Sequence, residues 1–324
     1  LDETSDLGVY ETNMELIYAE LKKLGFAPVL DRMGNVVVVK EGTGDAPRKR
    51  VMVSAHMDEV GLIVTSATED GYLRIAAAGG IDPRVLVSKR VTVGEDKLPG
   101  VIGAVPIHLQ SAAERKHVLS MDELLVDIGA KNKDEAECKA PMGTYISFDT
   151  PYVEYGDGFA CGKAFDDRVG CLSLLRLLQE ELPVDLVACF VSEEEVGCRG
   201  AKGAAFQQEP DVGIVLEGTT CNDLGDVPET AHVCEAGQGV TVSFMDGASI
   251  ANRTLFRKAL DVAKQENIPH QVKHSVSGGN DGGAIQRARE GVPVVVLSVP
   301  CRYIHSPSSV VKLSDVESQF ALVK

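Results

Sequence analysis

The spacing of apolar positions changes twice along the chain. Leu16, Ile17, Leu21 and Leu24 fall at helical spacing and predict an amphipathic helix over 14–25. Residues 35–40 and 50–55 then read as strands, separated by a Gly/Asp/Pro turn at 42–47. From about Gly61 to Gly156 helical periodicity is scarce. Short β-rich runs at 62–65, 72–76, 90–93, 101–107, 124–128 and 144–148 alternate there with turns, as in a small barrel or sandwich. After Gly162 the texture changes again. Val169, Leu172, Leu175 and Leu178 mark a helix, 184–191 is an unbroken apolar strand, 201–207 is helical, and 212–216 is a second buried strand. A helix over 255–265 and the strongly strand-like run 292–299 follow. Near-continuous Val/Ile/Leu runs belong to strands covered on both faces by helices. The expected class is therefore α/β: a mixed sheet sandwiched by helices from 1–60 and 157–324, interrupted by a small β-barrel or sandwich at 61–156.

Composition narrows the class. At 324 residues the chain suits one large domain or two, and 44% hydrophobic with 25% charged residues is ordinary for a soluble globular protein. A net charge of -16 argues against nucleic acid and anionic membrane surfaces as partners. No apolar run approaches the ~18 residues of a membrane span. The opening Leu1-Asp2-Glu3-Thr4 lacks a basic-then-apolar targeting pattern. Eight cysteines contain no CxxC pair, and most sit in apolar stretches, which suggests free thiols in a reducing compartment. A cytoplasmic location is expected.

Five segments carry the candidate chemistry: Ser54-Ala55-His56-Met57-Asp58, Lys163-Ala164-Phe165-Asp166-Asp167-Arg168, Ser192-Glu193-Glu194-Glu195-Val196-Gly197, Leu216-Glu217-Gly218 and Tyr303-Ile304-His305-Ser306-Pro307. Four lie at or just beyond the carboxyl end of an expected strand, where ligands bind in open α/β sheets. Asp166 instead opens a helix, where a carboxylate also complements the helix dipole. Taken singly, each has an ordinary explanation. A lone histidine after a strand is more often structural, an Asp-Asp pair before a helix is usually a cap, and Glu193–Glu195 resembles a solvated turn. Taken together, two imidazoles and at least three carboxylates form an inventory for two divalent cations, with a carboxylate left over as a base. His108, His117, His232, His270 and His274 lack such company and read as structural or surface groups.

The chain resembles the tetrahedral-aminopeptidase or glutamyl-aminopeptidase family of dinuclear metallopeptidases nearly end to end. The resemblance rests on Ala55-His56-Met57-Asp58-Glu59-Val60-Gly61, Gly79-Gly80-Ile81-Asp82, Pro99-Gly100-Val101-Ile102-Gly103, Asp127-Ile128-Gly129-Ala130, Lys163 to Cys171, Glu194 to Ala201, and Arg302-Tyr303-Ile304-His305-Ser306. It implies a zinc-peptidase-like α/β domain with an inserted assembly domain, and removal of single N-terminal residues from short peptides by a metal-bridging hydroxide. By the same resemblance Asp166 bridges two ions, zinc or cobalt. His56 and Glu217 complete one ion and Glu195 and His305 the other, with Glu194 as the general base. Asp58 would orient His56. The resemblance further implies a dimer-based homo-oligomer, up to a dodecamer. Glu217 stands where many relatives carry Asp.

Two other readings compete. A glycosidase using paired carboxylates would leave His56 and His305 without a role, and the absence of Trp makes sugar-stacking platforms scarce. A non-catalytic metal-binding assembly protein of the same fold would be favoured by a missing ligand, and none is missing. The preferred N-terminal residue, whether acidic, neutral or basic, is open at this level.

Overall fold

The computed structural model describes residues 11–324, so the opening Leu1–Thr4 lies outside the described residues. The first helix runs Glu11–Lys23 and buries Ile17 and Leu21 against the sheet. It stops before Leu24, which is exposed, because Gly25 adopts a left-handed conformation (φ 86°) and the Phe26 N–H returns to the Leu21 carbonyl.

Four parallel strands form the centre of an eleven-stranded sheet: Asp185–Val191, Arg50–His56, Val212–Thr220 and Val294–Arg302, in that spatial order. Antiparallel strands extend it on both sides. Val36–Lys40 pairs with Asp185–Val191, while Ser309–Lys312, Phe159–Gly162 and Val153–Tyr155 continue beyond Val294–Arg302. Val153–Tyr155 thus belongs to this sheet although it falls within the segment 61–156. Successive residues of the apolar strands serve opposite faces. Val36, Val38, Val53, Ala55, Ala188 and Phe190 pack with the helix Phe165–Leu177, whereas Val37, Met52, Val187 and Cys189 meet the helix Arg199–Gln208. That two-sided demand explains the unbroken Val-rich runs in the sequence.

Between His56 and this returning edge the chain forms a closed six-stranded barrel: Gly61–Ala67, Leu73–Ala78, Leu125–Asp127, Leu98–Gly103, Arg90–Val93 and Tyr145–Phe148. Pairing of Gly61–Ala67 with Tyr145–Phe148 closes it, which decides barrel over sandwich. Its interior is a separate apolar core that includes Leu62, Leu73, Val91, Ile102, Val126 and Ile146. The expected run 101–107 ends as strand at Gly103, and Ile107–Leu109 is a short 3-10 turn with both Ile107 and Leu109 exposed. Among the described residues no helix is long and apolar enough to cross a membrane.

Candidate metal centre

Parallel register brings the first two segments together. Val191 pairs with His56, so the Glu193–Glu195 turn leaves the sheet beside the imidazole. Val215 pairs with Ser54, and two residues further along each strand stand Glu217 and His56. Glu217 lies within its strand rather than beyond it, because Gly218–Thr220 continue the ladder against Val299–Cys301. The helix Phe165–Leu177 brings Asp166 from the layer above, and the Gly218 N–H donates to Asp166 Oδ1 at 3.2 Å. A Cβ on Gly218 would stand 3.0 Å from the Asp166 side chain and would press that carboxylate out of place, so glycine suits this close approach.

The seven residues singled out from the sequence all meet here. His56 Nε2 is 3.3 Å from Asp166 Oδ1 and 3.6 Å from Glu217 Oε2. His305 Nε2 is 3.5 Å from Asp166 Oδ2 and 3.4 Å from Glu195 Oε2. Asp166 therefore turns one oxygen to each imidazole, with Glu217 on one side and Glu195 on the other. Asp58 acts differently from the expected imidazole contact. Its carboxylate accepts the Glu194 and Glu195 N–H groups, each at 3.1 Å, and is 3.7 Å from His56 Nδ1. The Asp58 backbone carbonyl, at 2.9 Å, is what faces that nitrogen. One residue thus fixes the ring through its main chain and the Glu194–Glu195 turn through its side chain.

Further contacts hold this frame. Lys163 Nζ donates to Glu59 Oε1 at 2.8 Å in a buried ion pair that ties the loop after His56 to the start of the Asp166 helix. Asp167 is buried and accepts from the His56 and Gly170 N–H groups, so it braces the backbone of the ligand strand. Sequence reasoning missed that role, since an Asp-Asp pair at a helix start reads as a cap. Several flanking residues, Ala164, Glu193, Cys198 and His305, adopt left-handed φ values between 53° and 56°. Such conformations in non-glycine residues cost roughly 1–3 kcal/mol and gather at functional sites. The five remaining described histidines lie outside this group.

The donor set fits a pair of cations. Glu217 Oε1 is buried without a hydrogen-bond partner, and His56, Asp166 and Glu195 offer ligand atoms within 4.8 Å of one another, as do His56, Asp167 and Glu217. The electrostatics agree. Burial opposes charge on His56, but Asp166 and Glu217 outweigh it and raise its pKa well above the usual value. Burial likewise opposes charge on Asp166, yet His305 and His56 hold its carboxyl well below the carboxylate range. Burial and the Asp166 charge push Glu195 up to about 8, and hydrogen bonding to Asp166 carries His305 to about 9. Burial raises Glu217 well above its ordinary value, with His56 opposing. Crowded carboxylates that resist ionisation together are what positive ions at their centre would relieve.

The chain is 33% identical over 320 residues to the lysyl aminopeptidase of Pyrococcus furiosus, covering 96% of this chain and 89% of that protein. It is also 33% identical over 313 residues to the glutamyl aminopeptidase of Lactococcus lactis, covering 93% and 86%. The TET1 peptidase of Pyrococcus horikoshii, whose structure is described as assembling into a tetrahedron or a large octahedral shell, superposes with a TM-score of 0.85 at 31% identity over 98% and 94% of the two chains. The pattern of the M42 glutamyl aminopeptidase family matches residues 34–322, from just before the strand Val36–Lys40 into the last helix. On sequence and fold alike, the chain belongs to the M42 glutamyl aminopeptidase family.

Proposed function

We propose that the protein removes single N-terminal residues from short peptides with two divalent ions, zinc or cobalt, held by His56, Asp166, Glu195, Glu217 and His305. The observation that carries this reading is the Asp166 carboxylate, one oxygen turned to each imidazole with a further carboxylate on either side. When bound, the ions supply Lewis acidity and water activation. The rest is the work of this chain's side chains. Glu194 takes a proton from the attacking water and returns it to the departing amine. Burial, partly offset by His56, raises the Glu194 carboxyl above its ordinary value, which suits a group that must both accept and release a proton. Asp58 keeps that carboxylate in place by holding its backbone N–H.

The test is release of free amino acids from aminoacyl anilides and short peptides by zinc- or cobalt-loaded protein. Glu194→Gln should lower kcat by about 10²–10⁴-fold while both ions stay bound; full activity in that variant would rule out the assigned proton transfer. Rates on Glu, Asp, Leu, Ala and Lys substrates would define the preferred first residue.

The assembling TET1 relative and the separately cored barrel support a second part of the proposal. The protein forms a dimer-based homo-oligomer, up to a dodecamer, with residues 61–156 serving assembly and 1–60 with 157–324 serving catalysis. Its eight cysteines are all free, which supports a reducing, cytoplasmic setting. Light scattering of the metal-loaded protein distinguishes a monomer from such an assembly.

A further inference from the structure

Beside the paired centre lies a second convergence of ligating groups. The turn after the strand Asp185–Val191 folds back on itself, with the Gly197 and Cys198 N–H groups both donating to the Glu194 carbonyl. Cys198 Sγ thereby comes to 3.4 Å from Glu194 Oε1. Asp281, at the start of the helix Asp281–Gln286, enters from a neighbouring element that packs on the helix Arg199–Gln208. Glu194, Cys198 and Asp281 each place a ligand atom within 4.8 Å of the others.

Asp281 is the independent sign of a ligand. It is 0% exposed, and neither carboxylate oxygen has a hydrogen-bond partner. Its charge is favoured only by the His56 imidazole, without a hydrogen bond, and less by the weakly donating Cys198 thiol, which is already directed at Glu194. A buried carboxylate without a partner is costly, and the usual remedies are a proton or a cation. Burial and the Glu194 charge raise the Asp281 pKa well above normal, so the proton serves when no cation is present.

We propose that Glu194, Cys198 and Asp281 form a third, inhibitory cation site that takes a thiophilic divalent ion such as zinc or cadmium. One sulfur with two carboxylate oxygens matches zinc chemistry, whereas magnesium and calcium take oxygen ligands. Binding displaces the thiol proton, and the proton on Asp281, to solvent. A cation here holds Glu194 as a ligand and removes it from proton transfer. Ion binding stands apart from the aminopeptidase reading; only the inhibition rests on it.

The experiment is a titration of metal-free protein with cobalt(II), in anaerobic buffer, followed by absorbance and equilibrium dialysis. The paired centre contains no sulfur, so a near-ultraviolet thiolate-to-cobalt band should appear only with the third equivalent. Cys198→Ser should abolish the band and the third equivalent while the first two ions bind. Asp281→Asn should weaken the third ion by about tenfold or more. Absence of that band in the natural protein, or its persistence in Cys198→Ser, overturns the site. The inhibitory role is read as the ratio of peptidase activity in excess zinc to activity at two equivalents. That ratio should fall well below one in the natural protein and return towards one in Cys198→Ser. A bound third ion that leaves the ratio at one would overturn the inhibition, and with it Glu194 as the proton carrier, without touching the ion site.

Discussion

The two halves of the centre are built from the same residue types, and both glutamates are buried, but their histidines sit in opposite settings. His56 sits at the end of a central strand, its side chain 1% exposed, with its ring faced by the Asp58 carbonyl and its N–H held by Asp167. His305 projects from a loop in a left-handed conformation, with its side chain 41% exposed. The contrast assigns different work to chemically similar ligands. In the proposed enzyme the His56 side would belong to the fold, and its removal should disturb the sheet, while the more open His305 side would be where ions exchange and a peptide terminus enters.

Asp166 is common to both halves, so Asp166→Ala should erase the contrast. It should lose both ions and lower kcat/KM by about 10³-fold or more, since several kcal/mol of metal-derived stabilisation go together. Metal analysis showing one ion retained would mean that the halves are held independently.

The contrast itself is tested on the metal-free protein. His56→Ala should cost roughly 2–4 kcal/mol of folding stability by leaving a cavity and an uncompensated Glu217, whereas His305→Ala should cost less, about 1 kcal/mol, because its pairing with Asp166 and Glu195 is partly screened by solvent. Equal shifts in urea midpoint would show that the buried half is no more structural than the exposed one.

A smaller effect is proton-linked. Below about pH 8 Glu195 carries a proton that an incoming cation must displace, and below about 9 so does His305. Zinc affinity at the exposed half should therefore climb as pH rises from 6 to 9, with protons released on binding. A flat profile in a weakly buffered zinc titration would contradict that setting.

Much of this was legible in the sequence because the ligand segments carry two signals at once: a buried strand and a polar terminus. The runs 50–55 and 184–191 predicted both the sheet and the place where His56 and the glutamates emerge. Glu217 was harder. Glu217 and Gly218 break the apolar run, yet the strand continues through Thr219 and Thr220 because Val299–Cys301 lies alongside. Closure of the barrel depends on a contact between residues some eighty positions apart, which local periodicity does not encode. The settings of Asp167, Cys198 and Asp281 were not legible, since their neighbours from other elements are brought close only by the fold.

One approach links the barrel to the candidate centre. Gly79 and Gly80, just beyond the barrel strand Leu73–Ala78, lie against the exposed half of the centre. A Cβ on Gly80 would stand 3.4 Å from His305 Nδ1, and one on Gly79 would stand 3.3 Å from Glu195 Cβ. Gly80→Ala should thus weaken ion retention by a few-fold at most, because His305 can give way; an unchanged zinc affinity would show that the contact transmits nothing. A partner that shifted Gly79 and Gly80 against this wall would change the room left to His305 and Glu195, and by thermodynamic reciprocity an ion bound by the proposed ligands would then change the affinity for that partner by the same factor.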